Sequence, residues 1–103
     1  MSILHTVNKS PFERNALESC LKFAGAGDPV LLFEDGIYAA LKGTSAEERI
    51  KTALDKKQSL YVLGPDLAAR GFTTERVIDG VEILDYTGFV DLAVNNDKVQ
   101  AWL

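Results

Sequence analysis

Pro29-Val30-Leu31-Leu32-Phe33-Glu34, closed by Asp35-Gly36, is the stretch on which the reading of the fold turns. Its centre, Val30 to Phe33, is apolar without alternation. A strand with one wet face alternates apolar and polar residues, whereas a strand covered on both faces need not. The run therefore predicts a strand at Pro29 to Glu34, buried inside a parallel sheet.

Similar runs lie on either side. Ser2 to Val7 is a short β-prone stretch, Ser59 to Leu63 ends at Gly64-Pro65, and Val81 to Asp85 follows an Asp79-Gly80 turn. Val77-Ile78 reads as a further short strand. The segments between them read as helical. Ser10 is placed as an N-cap, Pro11 suits the first helical position and Glu13 completes a capping box. That helix is expected to reach about Ala24 and to end at Gly25 or Gly27. Ile37 to Leu41 and Ala46 to Lys57 follow as helices, Asp66 to Arg70 is one turn closed by Gly71, and Thr87 is expected to cap a helix through Val94. Asp97 to Leu103 reads as a short helical or irregular tail. Strands alternating with helices predict an α/β fold, a small three-layer sandwich around a mostly parallel sheet of four to five strands.

The composition fits one domain over residues 1–103. Apolar residues make up 47% and charged residues 25%, a globular balance. Eleven basic and fifteen acidic side chains leave a net charge of −4, which argues against autonomous binding to nucleic acid. The apolar runs Val30–Phe33 and Ile37–Leu41 are far shorter than the ~20 residues that span a bilayer. Met1-Ser2-Ile3-Leu4-His5 does not have the pattern of a secretory signal. One cysteine, Cys20, excludes an intrachain disulfide, and one Cys with one His cannot make a four-ligand zinc site. A reduced, cytoplasmic setting is expected.

In parallel sheets, reactive groups gather past the carboxyl ends of the strands. Here those ends carry Asn8-Lys9-Ser10, Glu34-Asp35-Gly36, Gly64-Pro65-Asp66 and Asp85-Tyr86-Thr87. The rim is mainly acidic and has no phosphate-binding glycine loop, so a dinucleotide or ATP site is not expected there, and with the lone Cys and His the reading calls for no cofactor and no metal. Asp35, Asp66 and Thr87 are expected to cap helices.

Cys20 is the only strong nucleophile, able as a thiolate to attack sulfur or carry a persulfide. On a helical wheel, Phe12, Phe23, Ala16, Cys20, Ala24, Leu17 and Leu21 fill an apolar arc of about 180°, with Cys20 near its middle. Two readings stay open, a sulfur-handling thiol and a buried core thiol. His5 is the lone histidine and reads as structural, and Lys9 reads as a solvated cation near the rim. Trp102, so near the end of the sequence, is expected to dock, either on its own domain or at a subunit interface.

Leu4-His5-Thr6-Val7 with Ser10-Pro11 is similar to the opening of the DsrH/TusB family. So are Leu31 to Ala40, Tyr61-Val62-Leu63 with Asp66-Leu67 and Ala69-Arg70-Gly71, Ile83 to Val90, and the terminal Ala101-Trp102. The pieces follow the family order over nearly the whole chain, and Gly43 to Ser59 is the least distinctive part. The resemblance implies a DsrEFH-like fold and a subunit, without stand-alone activity, of a cytoplasmic sulfur-relay complex. DsrE-like and DsrF-like partners would join it in a dimer of heterotrimers, a heterohexamer. A DsrC- or TusE-like carrier protein would receive the sulfur, with no direct contact to nucleic acid or membrane. The principal persulfide cysteine would belong to the DsrE/TusD partner. DsrH-type members carry a cysteine in the first helix, which Cys20 matches and many TusB-type members lack. The resemblance therefore points first to the DsrEFH version, serving sulfur oxidation, with Cys20 as its candidate catalytic residue. The alternatives are the TusBCD version, serving 2-thiouridine formation in tRNA, and a purely structural subunit.

Overall fold

The computed structural model describes residues 3–12, 15–25 and 27–102. Five strands form one parallel sheet: β1 (Ile3–Val7), β2 (Pro29–Leu32), β3 (Ser59–Leu63), β4 (Glu82–Leu84) and β5 (Lys98–Trp102). Their spatial order is β4-β3-β2-β1-β5. Every residue of β2 is buried, as its unbroken apolar sequence requires of the strand in the middle of the sheet.

The helices are α1 (Ala16–Phe23), α2 (Glu47–Asp55), α3 (Gly64–Ala69) and α4 (Tyr86–Val94), with 3₁₀ turns at Glu34–Ala40 and Thr74–Arg76. Alternation along the strands sorts the core. Val7, Val30, Leu32, Leu60 and Val62 face α1, α2 and α3 and form one cluster with Leu17, Cys20, Ile50, Ala53 and Leu67. Leu4, Leu31 and Leu63 point to the opposite face and are also buried. The chain moves stepwise from β1 to β4 and then returns across the sheet to lie beside β1. A right-handed crossover in the reverse direction puts α4 alone on that second face. Helices on both sides of a parallel sheet make this the expected α/β sandwich.

Four local expectations are corrected. Ser10 accepts a hydrogen bond from the Phe12 N–H at 3.2 Å, but residues 11–12 make only a turn, and α1 starts at Ala16 after Asn15. Phe12 is 56% exposed, so nothing draws that first turn onto the core; the first α1 side chain to be buried is Leu17. Glu13, the other half of the expected capping box, lies outside the described residues. Val77-Ile78 does not join the sheet: Val77 makes an isolated antiparallel bridge to Leu41, and the Ile78 N–H donates to the Ala40 carbonyl at 2.8 Å. The α4 cap is Asp85 and not Thr87, because the Asp85 side chain accepts from the Gly88 N–H at 2.7 Å. Finally, the tail is a strand. β5 pairs with all of β1, from Ile3 opposite Lys98 to Val7 opposite Trp102.

Candidate functional site

Cys20 sits on the inner side of α1 and is fully buried. The wheel arc explains this, since Leu17, one turn before it, is buried with it. Phe23 departs from that arc and is 66% exposed, its ring turned towards His5 and Trp102. Burial pushes the Cys20 thiol up from 9.0 to about 12 by withdrawing the thiolate from water. Among the described residues no charged neighbour counters that shift, so at neutral pH the group is a protonated, apolar packing element.

His5, on the same face of the sheet, is also fully buried. The Trp102 Nε1–H donates to its Nδ1 at 3.1 Å, which places the imidazole proton on Nε2, facing Asp28 Oδ2 at 3.2 Å. Both ring nitrogens are thus engaged, and neither is left to take a proton from Cys20. Asp28 also accepts from the backbone N–H groups of Ile3 and Gly25, at 3.0 and 3.1 Å. Its carboxyl is held below the usual carboxylate range, chiefly by the Ile3 N–H and, against the opposing effect of burial, by His5 and the Gly25 N–H. The cluster ties β5, β1 and the turn before β2 together. Of the two expectations for Trp102, the structure realises docking on its own fold.

The rim carboxylates are similarly committed. Asp66 Oδ2 accepts from the Glu34 N–H at 2.6 Å and so braces the start of the 3₁₀ turn from across the rim. Asp35 Oδ1 accepts from Arg70 Nε and Nη2 at 3.2 and 2.9 Å. Gly36 passes so close to the end of β1 that a Cβ there would collide with the Val7 carbonyl oxygen. Lys9 is half-buried beside this packing. Between α1 and α2 lies an open groove of about 680 Å³ floored by Leu21 and Ala53, where Glu18 pairs with Lys22 and Arg49 at 3.7 and 3.8 Å; Cys20 does not line it. Among the described residues, no three His, Cys, Asp or Glu side chains gather as metal ligands would, and no helix is long and apolar enough to cross a membrane.

This arrangement is a tightly braced scaffold with its thiol inside. Comparison with known proteins gives it a family. The family model described as "DsrH like protein" matches residues 9–99. The chain belongs to the DsrH-like family. The DsrH-like chain is 41% identical to Protein TusB of Erwinia tasmaniensis, 38% to that of Pectobacterium parmentieri and 37% to that of Yersinia pestis. Each match covers 97% of this chain and all of the relative. Among solved structures it resembles the ychN protein of E. coli, with a TM-score of 0.85 at 20% identity, covering 98% of both chains. It also resembles MTH1491 of Methanobacterium thermoautotrophicum, with a TM-score of 0.76 at 11% identity, covering 96% of both chains. These two likenesses concern the fold alone.

Sequence reasoning found Cys20 and its position on the wheel. It missed the partners of His5, because Trp102 lies 97 residues away and no local pattern joins the two.

Proposed function

We propose that this chain is a TusB-type subunit of a cytoplasmic sulfur-relay complex that supplies sulfur for 2-thiouridine in tRNA. In this reading the persulfide travels on the cysteine of a TusD-like partner and passes to a TusE-like carrier protein. The chain itself shapes the assembly and has no turnover alone. The observation that carries this reading is the end-to-end similarity to proteins named TusB. It moves the balance away from the sulfur-oxidising DsrEFH version to which the cysteine in the first helix pointed.

For Cys20 the geometry supports the structural alternative. A sulfur carrier needs a thiolate that meets its donor, and this thiol is buried and protonated, with no cationic neighbour among the described residues. A carrier role for Cys20 would need α1 to lift from the sheet, exposing Leu17 with it.

Deletion of the gene in its own cell, followed by nucleoside analysis of tRNA, tests the whole reading. The 2-thiouridine is expected to disappear and to return with either the unaltered chain or Cys20→Ala. Retained 2-thiouridine, with sulfur oxidation lost instead, would overturn the assignment in favour of the DsrEFH version. Failure of a folded Cys20→Ala chain to restore the nucleoside would return Cys20 to the reaction.

A further inference from the structure

The second face of the sheet is covered differently from the first. α4 has no fully buried residue, although it is the most apolar helix in the chain. Tyr86, Val90 and Val94 recur every four residues and so form one stripe, and they are 59%, 57% and 76% exposed. Only the other side of the helix is seated: Phe89 stacks on Phe33 with ring centroids 6.3 Å apart, and Gly88 lies against Leu84. Val99, on the same face of the sheet as Leu4, is also 55% exposed. A contiguous apolar stripe left in water on a small protein marks a surface that another molecule covers.

Charge says what kind of molecule. Residues 1–76 carry ten basic and ten acidic side chains and are neutral as a block. Residues 77–103 carry five acidic side chains and one basic one, so the entire net charge of −4 belongs to the segment that contains α4. Asp91 lies one turn from Val94, Asp85 caps the helix beside Tyr86, and Glu82 projects from β4 on the α4 side of the sheet. A second copy meeting this face through a two-fold axis would bring two identical acidic surfaces, each with Asp91 and Glu82, to the same seam.

We propose that the α4 stripe is the docking surface for a sibling subunit whose facing surface has an apolar centre and a border of lysine and arginine. This deepens the reading of the chain as a relay subunit and rests on it. Val90 and Val94 supply the buried centre, while Asp91 and Glu82 supply charge pairing and register at the rim.

Co-expression of the chain with its TusC-like and TusD-like siblings, followed by sedimentation and titration at two salt concentrations, provides the test. The unaltered chain is expected to co-migrate with them, less tightly at high salt. Val90→Asp with Val94→Asp is expected to weaken the complex at least about tenfold. Glu82→Lys with Asp91→Lys touches no packed side chain and keeps the test valid if the double valine variant misfolds; it is expected to weaken the complex at low salt and flatten its salt dependence. A complex indifferent to both variants overturns the α4 surface and leaves the relay reading standing. No complex with the unaltered chain overturns the relay reading and the surface with it. Self-association of the isolated chain that is abolished by Val90→Asp makes the occupant a second copy and overturns the sibling.

Discussion

Cys20 and His5 carry the consequences of burial at the scale of single residues. Folding raises the Cys20 thiol from 9.0 to about 12, so between those values the native chain holds a proton that the unfolded chain has released. The contribution is therefore intact below about pH 9 and is lost as pH rises towards 12, by at most about 1.4 kcal/mol per pH unit. Cys20→Ala is expected to remove this alkaline loss while costing on the order of 1 kcal/mol at neutral pH, both read from urea unfolding. Iodoacetamide is expected to label native Cys20 far more slowly than the urea-unfolded chain; equal rates would mean that α1 opens freely. Trp102→Phe keeps an aromatic ring but removes the N–H that satisfies His5 Nδ1. It is expected to cost about 1–3 kcal/mol, the usual effect of orphaning a buried acceptor. The place of Cys20 on an apolar arc was legible in the sequence because a helix repeats every 3.6 residues. The arc left a buried thiol and a sulfur-handling thiol both open, and Phe12 and Phe23 on the same arc are exposed. The His5–Trp102 bond was not legible, since it is created by a strand pairing that brings the two ends of the sheet region together.

At the scale of elements, the strands were the most readable. Ser59–Leu63 is observed with the boundaries its apolar run predicts, and β2 differs only by ending at Leu32, where Phe33 and the turn of Glu34 leave the sheet. Caps and edges were harder. Ser10-Pro11 has the right residue types for a helix start, yet the winding begins only where a side chain first reaches the core, near Leu17. Lys98-Val99-Gln100-Ala101-Trp102 was missed as a strand because four of its five residues are exposed. An edge strand lacks the apolar run that marks a buried one. The α4 cap separates two neighbouring candidates cleanly. Asp85→Ala is expected to cost about 1 kcal/mol in thermal or urea unfolding, and Thr87→Ala a few tenths at most. The reverse order would place the cap at Thr87.

At the scale of the whole molecule, stability is distributed unevenly between the two faces. The first face holds the large cluster with Cys20, whereas α4 and the three-residue strand β4 contain no fully buried residue. Amide hydrogen exchange is expected to be slowest in β1, β2 and β3 and fastest in β4 and α4. Uniform protection across the chain would contradict this, and added protection of α4 on assembly would accompany its docking. The return of the chain from β4 to the far side of β1 has a further consequence during synthesis. Of the five strands β1 is made before the others, yet β5, which pairs with its outer edge, follows more than ninety residues later. Until the ribosome has released that segment, the growing polypeptide displays an unmated row of amides and carbonyls next to a histidine still waiting for its indole. Such a template invites pairing with any nascent neighbour, so chaperone shielding of the β1 edge until β5 has been made is expected to raise the yield of folded protein.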